Sequence, residues 1–157
     1  MRILVLSDSH GRSSEIEKAI EAQPDARHVF FLGDVLSDIE DMEYIYPDRI
    51  FHSVRGNCDF YSDAPLRGSV SVGGRNIFFC HGHEYGVKGG TATLLSYAKA
   101  RGADIVLFGH THVAHTEYCD GIHLVNPGSL SRGREGGCSY AVVDIESGGV
   151  MPIIVRV

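Results

Sequence analysis

Five short polar clusters in this chain carry residues that bind metal ions or move protons. They are Asp8 with His10, Asp34, Asn57 with Asp59, His81 with His83, and His110 with His112. Together they offer imidazole nitrogens, carboxylate oxygens and one amide oxygen. That donor set suits borderline divalent ions: Mn, Fe, Co, Ni or Zn. It is too large for one ion that keeps an open coordination position. Two ions sharing one carboxylate would use it, and such a pair, ~3.5–4 Å apart, stabilises both the attacking and leaving oxygens of an in-line displacement. Each cluster also has a plainer explanation. An Asp after a strand can cap the next helix, a loop histidine can simply be solvated, and Asn57 can occupy a left-handed turn position. These explanations work one at a time and leave the shared position of all five clusters unaccounted for.

That shared position is the end of a strand. Residues 29–32, Val-Phe-Phe-Leu, form a short β-branched and aromatic run that reads as a buried strand. It stops on Gly33, where the backbone can turn sharply. Asp34 is thereby left at the carboxyl edge, where open α/β sheets place ligands. It is the expected shared carboxylate. Residues 2–7 predict an earlier strand, ending at Asp8. Ser14-Glu15-Ile16-Glu17 has the form of a capping box opening a helix that runs to about Gln23 and stops at Pro24. An acidic helix starts at Asp38 and ends before Pro47, and residues 50–54 form a third strand. This is a βαβαβ pattern with parallel strands.

The second half reads differently. Residues 69–72 and 76–80 flank Gly73-Gly74 as a hairpin. A helix over 93–100 closes at Gly102, and a buried strand over 103–108 runs into His110. A hairpin about Asp120-Gly121, the turn Asn126-Pro127-Gly128-Ser129 and a hairpin about Ser147-Gly148-Gly149 complete the chain.

A length of 157 residues suits one domain, 1–157, with a substantial core. Hydrophobic residues at 43% and charged residues at 22% fit a globular protein. No apolar run approaches the ~20 residues of a membrane helix, and the first residues are too short for a signal peptide, so a cytoplasmic protein is expected. The net charge of −6, without a Lys/Arg-rich run, argues against an extended nucleic-acid surface. Cys58, Cys80, Cys119 and Cys138 form no Cys-x-x-Cys pair and are expected to be free thiols.

Asp8-x-His10, Gly33-Asp34-x-x-x-Asp38, Gly56-Asn57-Cys58-Asp59, His81-Gly82-His83 and Gly109-His110-Thr111-His112, in this order, resemble the motifs of the calcineurin-like metallophosphoesterases. Asn126-Pro127-Gly128-Ser129 extends the match to about residue 132. The small size and the Asn-Cys-Asp variant look most like the YfcE-type branch of prokaryotic phosphodiesterases. The resemblance implies an α/β (α+β) fold, a four-layer αββα sandwich of two facing mixed β-sheets flanked by helices. It implies two divalent metal ions, manganese first and Ni, Fe, Co or Zn next. Asp8, His10 and His112 would hold one, Asn57, His81 and His110 the other, with Asp34 between them.

Asp38 and Asp59 would support the site, and His83 would stand on the substrate side. Arg132 is a candidate phosphate contact, as is Arg134, although a solvated loop is the plainer reading of both. The implied reaction is hydrolysis of a small phosphate ester, a diester first, by in-line attack of a hydroxide bridging the ions, with Asn57, His81 and Asp34 as catalytic residues. Many superfamily members have His at the position of Cys58, where it is thought to protonate the leaving oxygen. Here the thiol is expected only to pack, which leaves the leaving group without an obvious acid. The superfamily also contains a retromer subunit that works mainly through its surfaces. A protein-interaction scaffold is therefore the alternative reading, and a homo-oligomer is compatible with either.

Overall fold

The computed structural model describes all 157 residues. The first half contains β1 (Arg2–Leu6), α1 (Ser13–Ala22), β2 (Ala26–Phe31), α2 (Ser37–Ile45) and β3 (Ile50–Ser53), and its three strands pair in parallel. The second half contains β4 (Arg67–Val72), β5 (Arg75–Cys80), α3 (Ala92–Lys99), β6 (Ile105–Leu107), β7 (Ala114–Cys119), β8 (Ile122–Pro127), β9 (Ser139–Glu146) and β10 (Gly149–Arg156). One sheet has the order β10-β9-β1-β2-β3, the other β4-β5-β6-β8-β7. The last hairpin thus returns to the first sheet, where β9 lies antiparallel to β1.

Side-chain alternation along the strands explains the layers. Ile3 and Val5 of β1 point between the sheets with Phe30, and meet Ile77, Phe79, Ile105, Leu107 and Val125. Leu4 and Leu6 point outward and pack with Val29 and Phe31 against Ile16, Ile20, Ile39 and Met42 of the two helices. On the far side, Phe78, Val106 and Phe108 pack under Leu94 and Ala98 of α3. Strands covered on both faces need apolar residues at every position, so they read as continuous runs. Each such side chain fully buried contributes about 1.5–3 kcal/mol. The result is the expected αββα sandwich.

The capping box over residues 14–17 does not form. Helix α1 starts at Ser13 from a cap position at Arg12 that receives no side-chain hydrogen bond. Tertiary bonds set the start instead. Ser9 Oγ and Gly11 N both donate to Asp38 Oδ2, at 2.6 and 2.8 Å, fixing the loop that enters the helix. Ser14 is left exposed inside the first turn.

Two parallel triplets, β1-β2-β3 and β5-β6-β8, decide where the polar clusters go. Every parallel strand in a sheet ends at the same edge, so the loops carrying Asp8, Asp34 and Asn57 emerge together, as do those carrying His81, His110 and Asn126. Bonds across the gap join the two edges: His81 Nδ1 lies 2.6 Å from the Leu32 carbonyl. The opposite edge carries the plain hairpin turns Gly73-Gly74, Asp120-Gly121 and Ser147-Gly148. No helix is long and apolar enough to cross a membrane.

Candidate metal centre

Asp8 is fully buried at the end of β1. Its Oδ2 accepts hydrogen bonds from Ser7 Oγ at 2.5 Å and from His110 N at 3.2 Å. Its Oδ1 has no hydrogen-bond partner. His112 Nε2 stands 3.1 Å from that oxygen without hydrogen-bond geometry, and His10 Nε2 and His81 Nε2 stand 3.7 and 3.9 Å away. An ionised oxygen buried without a partner costs several kcal/mol unless a cation meets it. Ligand atoms of Asp8, His10, Asp34 and His112 all lie within 4.8 Å of one another.

A second group adjoins the first. His81 Nε2 is 3.0 Å from Asn57 Oδ1 and 3.2 Å from His110 Nδ1. Asp34 faces both groups: its Oδ2 is 3.9 Å from His10 Nε2 and 3.5 Å from His81 Nε2. Its Oδ1 is engaged by the Cys58 amide at 2.9 Å.

The backbone fixes the histidine tautomers. A carbonyl can only accept, so the Nδ1–H of His81 donates to Leu32 O at 2.6 Å, and that of His112 donates to Arg132 O at 3.2 Å. In the neutral rings both Nε2 atoms therefore present lone pairs to the centre, as metal-binding histidines do. Facing ring nitrogens stand 3.3 Å apart in the His10–His112 pair and 3.2 Å apart in His81–His110. Nitrogens bound tetrahedrally to zinc at ~2.0–2.1 Å would be separated by about 3.3 Å. The donor types, the unpartnered carboxylate oxygen and these spacings fit divalent ions.

Burial tends to raise the pKa of the Asp8 carboxyl, but its contacts with His10 and His112, the field of His81 and the Ser7 hydroxyl together hold it well below the usual carboxylate range. Contact with Asp8 raises His112. Burial, followed by the charge of His81, pulls His110 down to about 4 and lowers His83. His110 is thereby neutral at pH 7, the form that ligates.

The loops hold these groups at a conformational cost. Asp8, His10, Asp34, Val35, His110 and His112 all have φ between 45° and 73°. For a β-branched residue such as Val35 this is a genuine outlier. Strain of ~1–3 kcal/mol per residue persists only where surrounding structure over-determines it. Asp59 supplies much of that restraint. Its carboxylate accepts from the amides of Asp34, Val35 and Leu36, each at 2.9 Å, and of Gly56 at 2.7 Å. Gly33, at φ +95°, has room for no side chain, because a Cβ would overlap the Gly56 amide. Ser129 Oγ donates to Asp8 O at 2.7 Å, and Asn126 Nδ2 donates to Gly109 O at 3.1 Å, so the Asn-Pro-Gly-Ser turn braces two ligand loops.

All seven expected ligand residues thus meet in one place. Asp38 and Asp59 stand behind them as supports. His83 stands one layer out, its ring 5.4 Å from that of His81, with a buried Nδ1 that has no partner. Arg132 meets the site through its carbonyl, while the residue itself is exposed. Cys58 does not pack: it is exposed, with Asn57 Nδ2 at 3.7 Å from its sulfur. It sits at a loop tip whose amide donates to Asp34 Oδ1, with the residue open to solvent. Ser7 and Ser9, which hold Asp8 and Asp38, carry no signal in the sequence beyond flanking Asp8.

Known proteins resemble this chain in sequence and in fold. The model of the calcineurin-like phosphoesterase superfamily domain matches residues 1–148. A probable metallophosphoesterase, YsnB, of Bacillus subtilis is 34% identical over 152 residues, covering 94% of this chain and 86% of the relative. The phosphodiesterase YfcE of Escherichia coli is 29% identical, covering 92% and 88%. A crystal structure of a predicted phosphoesterase from Streptococcus pneumoniae superposes with a TM-score of 0.79 at 28% identity, covering 98% of this chain and 97% of that one.

Proposed function

The chain belongs to the calcineurin-like phosphoesterase superfamily, and from that premise we propose that it hydrolyses phosphate esters, diesters first, with two divalent metal ions. The observation that carries this reading is the position of Asp34 Oδ2 between two groups of ligand atoms, 3.9 Å from His10 Nε2 and 3.5 Å from His81 Nε2. Asp8, His10 and His112 would hold one ion and Asn57, His81 and His110 the other, with Asp34 shared. Manganese is the first choice, followed by Ni, Fe, Co or Zn.

When bound, the ions supply positive charge that lowers the pKa of a nearby water and stabilises the phosphoryl oxygens during in-line displacement. The chain's own residues prepare for this. Leu32 and Arg132 carbonyls fix the ring orientations of His81 and His112. Asn57 offers Oδ1 to the centre, and its Nδ2, held only by the weak contact with the Cys58 sulfur, can donate to a phosphoryl oxygen. His83 and the Arg132 guanidinium are substrate-side groups in this reading. At Cys58, burial first and then the Asp34 carboxylate raise the thiol pKa, so it stays protonated at neutral pH. Sulfur is nevertheless a weak donor. Rates should therefore fall steeply as the leaving group becomes more basic.

The test is metal analysis of the purified protein with turnover of bis(4-nitrophenyl) phosphate. We expect two ions per chain, loss of turnover on chelation and recovery with Mn²⁺. Undiminished turnover by metal-free protein would overturn the reading.

A further inference from the structure

The two flanks of the candidate centre differ in chemistry. On the α2 side, a cleft of 420 Å³ is lined by Leu36, Glu40, Cys58, Phe60, Tyr61 and Asp63, among others. On the other side, a cleft of 430 Å³ includes Lys88, Thr91, Thr111 and Asn126. Thr111 lies between His110 and His112, and Cys58 follows Asn57, so each cleft opens directly beside candidate ligands.

Phe60 and Tyr61 have no role in holding the fold. They are 82% and 102% exposed, and neither stacks on another ring. Tyr118, exposed on β7, by contrast packs its ring on His123 at 4.5 Å. The backbone beneath Phe60 and Tyr61 is nonetheless pinned. Arg55 Nη1 donates to Ser62 O at 3.1 Å, and Asp59, anchored by four amides, precedes Phe60. Two idle aromatic rings on a fixed loop, beside a reaction centre, form a stacking surface. The charges beside them, Glu40 and Asp63, repel an anionic group. On the opposite flank Lys88 is exposed, and its charge acts on His110. Arg134, also exposed, acts on His112.

We infer that this centre takes phosphodiesters with two unlike arms: a flat, uncharged aromatic arm that stacks on Phe60 and Tyr61, and an anionic arm directed toward Lys88. The inference rests on the phosphoesterase reading given above. It specifies the substrate class by chemistry and assigns specificity to residues outside the ligand set.

The test measures binding of phenylphosphonate, propylphosphonate and 2-carboxyethylphosphonate to the Mn²⁺-loaded protein by titration calorimetry. Stacking of a base on an aromatic side chain is worth ~1–3 kcal/mol, so the phenyl compound should bind roughly tenfold more tightly than the propyl one. The double variant Phe60→Ala, Tyr61→Ala should bring that ratio near one. Lys88→Ala should weaken the carboxyethyl compound several-fold relative to propyl while leaving the phenyl-to-propyl ratio in place. Equal binding of phenyl and propyl compounds by wild type, in a preparation that turns over bis(4-nitrophenyl) phosphate with Mn²⁺, would overturn this inference and leave the phosphoesterase reading standing. A ratio that survives the double variant would also overturn it. Absence of any metal-dependent turnover would overturn both.

Discussion

The two ends of the sandwich solve the same problem, turning a strand back on itself, with different residues. At the hairpin edge the tight turns fall on Gly73, Gly74 and Gly121, with φ of 60°, 77° and 80°, and on a single side-chain-bearing residue, Asp120, at 52°. At the other edge comparable angles fall on Asp8, His10, Asp34, Val35, His110 and His112. Glycine adopts these angles without steric conflict, whereas L side chains do so at a cost. One edge has been free to choose residues for conformation. At the other, five of the six are candidate metal ligands, and in that reading their side-chain donors, not conformation, select them. The support network follows the same division. Asp59, Asp38, Ser129 and Asn126 all brace the strained edge. At the hairpin edge the Arg2–Asp144 pair is partly exposed, at 2.8 Å.

The hardest test of this contrast is Asp34→Asn. Loss of an outer-shell partner typically costs 10–100-fold in metal affinity or activity, and a shared ligand should exceed that, so turnover should fall by more than about 100-fold. Metal content should drop at both positions. A variant that keeps two ions and near-normal turnover would show that Asp34 is not shared, and would remove the reason for the strain there.

Next is Asp59→Ala against Asp144→Ala. Four amides at the strained edge lose their acceptor in the first, and hydrogen bonds to charged groups are worth ~1.5–3 kcal/mol each, not additively. We expect a loss of about 2–4 kcal/mol in urea unfolding. The exposed pair, screened by water, should cost far less. Equal losses would erase the distinction between the two ends.

A smaller effect should run in opposite directions at the two edges. Val35→Gly relieves a β-branched outlier, partly offset by the extra freedom glycine gives the unfolded chain, for a net gain near 0.5–1 kcal/mol. Gly74→Val, at φ +77° in open space, should lose about 1–2 kcal/mol. Thermal melts of the metal-free proteins decide it. If both substitutions destabilise, Val35 is held by packing rather than strained.

Much of this division can be read from residue types, and some cannot. The histidines, Asp8, Asp34 and Asn57 announce themselves because their donors are unusual at strand ends and occur in order. The sheets follow from the uninterrupted apolar runs, since alternate residues such as Ile3 and Leu4 enter different layers. The capping box at Ser14 misleads because a local pattern competes with Asp38, which lies 27 residues from the Gly11 amide it holds. The place of Cys58 at an exposed loop tip depends on its amide reaching Asp34, and the tautomer of His81 on a carbonyl 49 residues away. Such pairings depend on the assembled fold, and no local pattern encodes them.

The smallest expected effect lies on the flank between the two ends. His28 Nδ1 and His52 Nε2 are 3.0 Å apart, and the His52 ring stacks on Phe30 at 4.5 Å. Burial first, then the charge of His28, lowers His52 to about 4. Its folded value lies below the unfolded ~6.5, so its contribution is complete above that pH and is lost as pH falls toward 4. Because the ring is half exposed, the effect should stay below about 1 kcal/mol. Metal-free wild type should lose slightly more stability than His52→Phe between pH 7 and pH 4. Parallel losses would show that the ring is not what titrates.

The left-handed backbone at the ligand positions also bears on how such a protein changes over generations. Where hydrolysis is under selection, Asp and His stay despite the strain. Once that selection lapses, glycine at His10, Val35 or His112 becomes a stabilising change, and asparagine at Asp8 or Asp34 a nearly neutral one. The sheets beneath lose nothing by it. Chemistry built in this way erodes downhill while its scaffold persists.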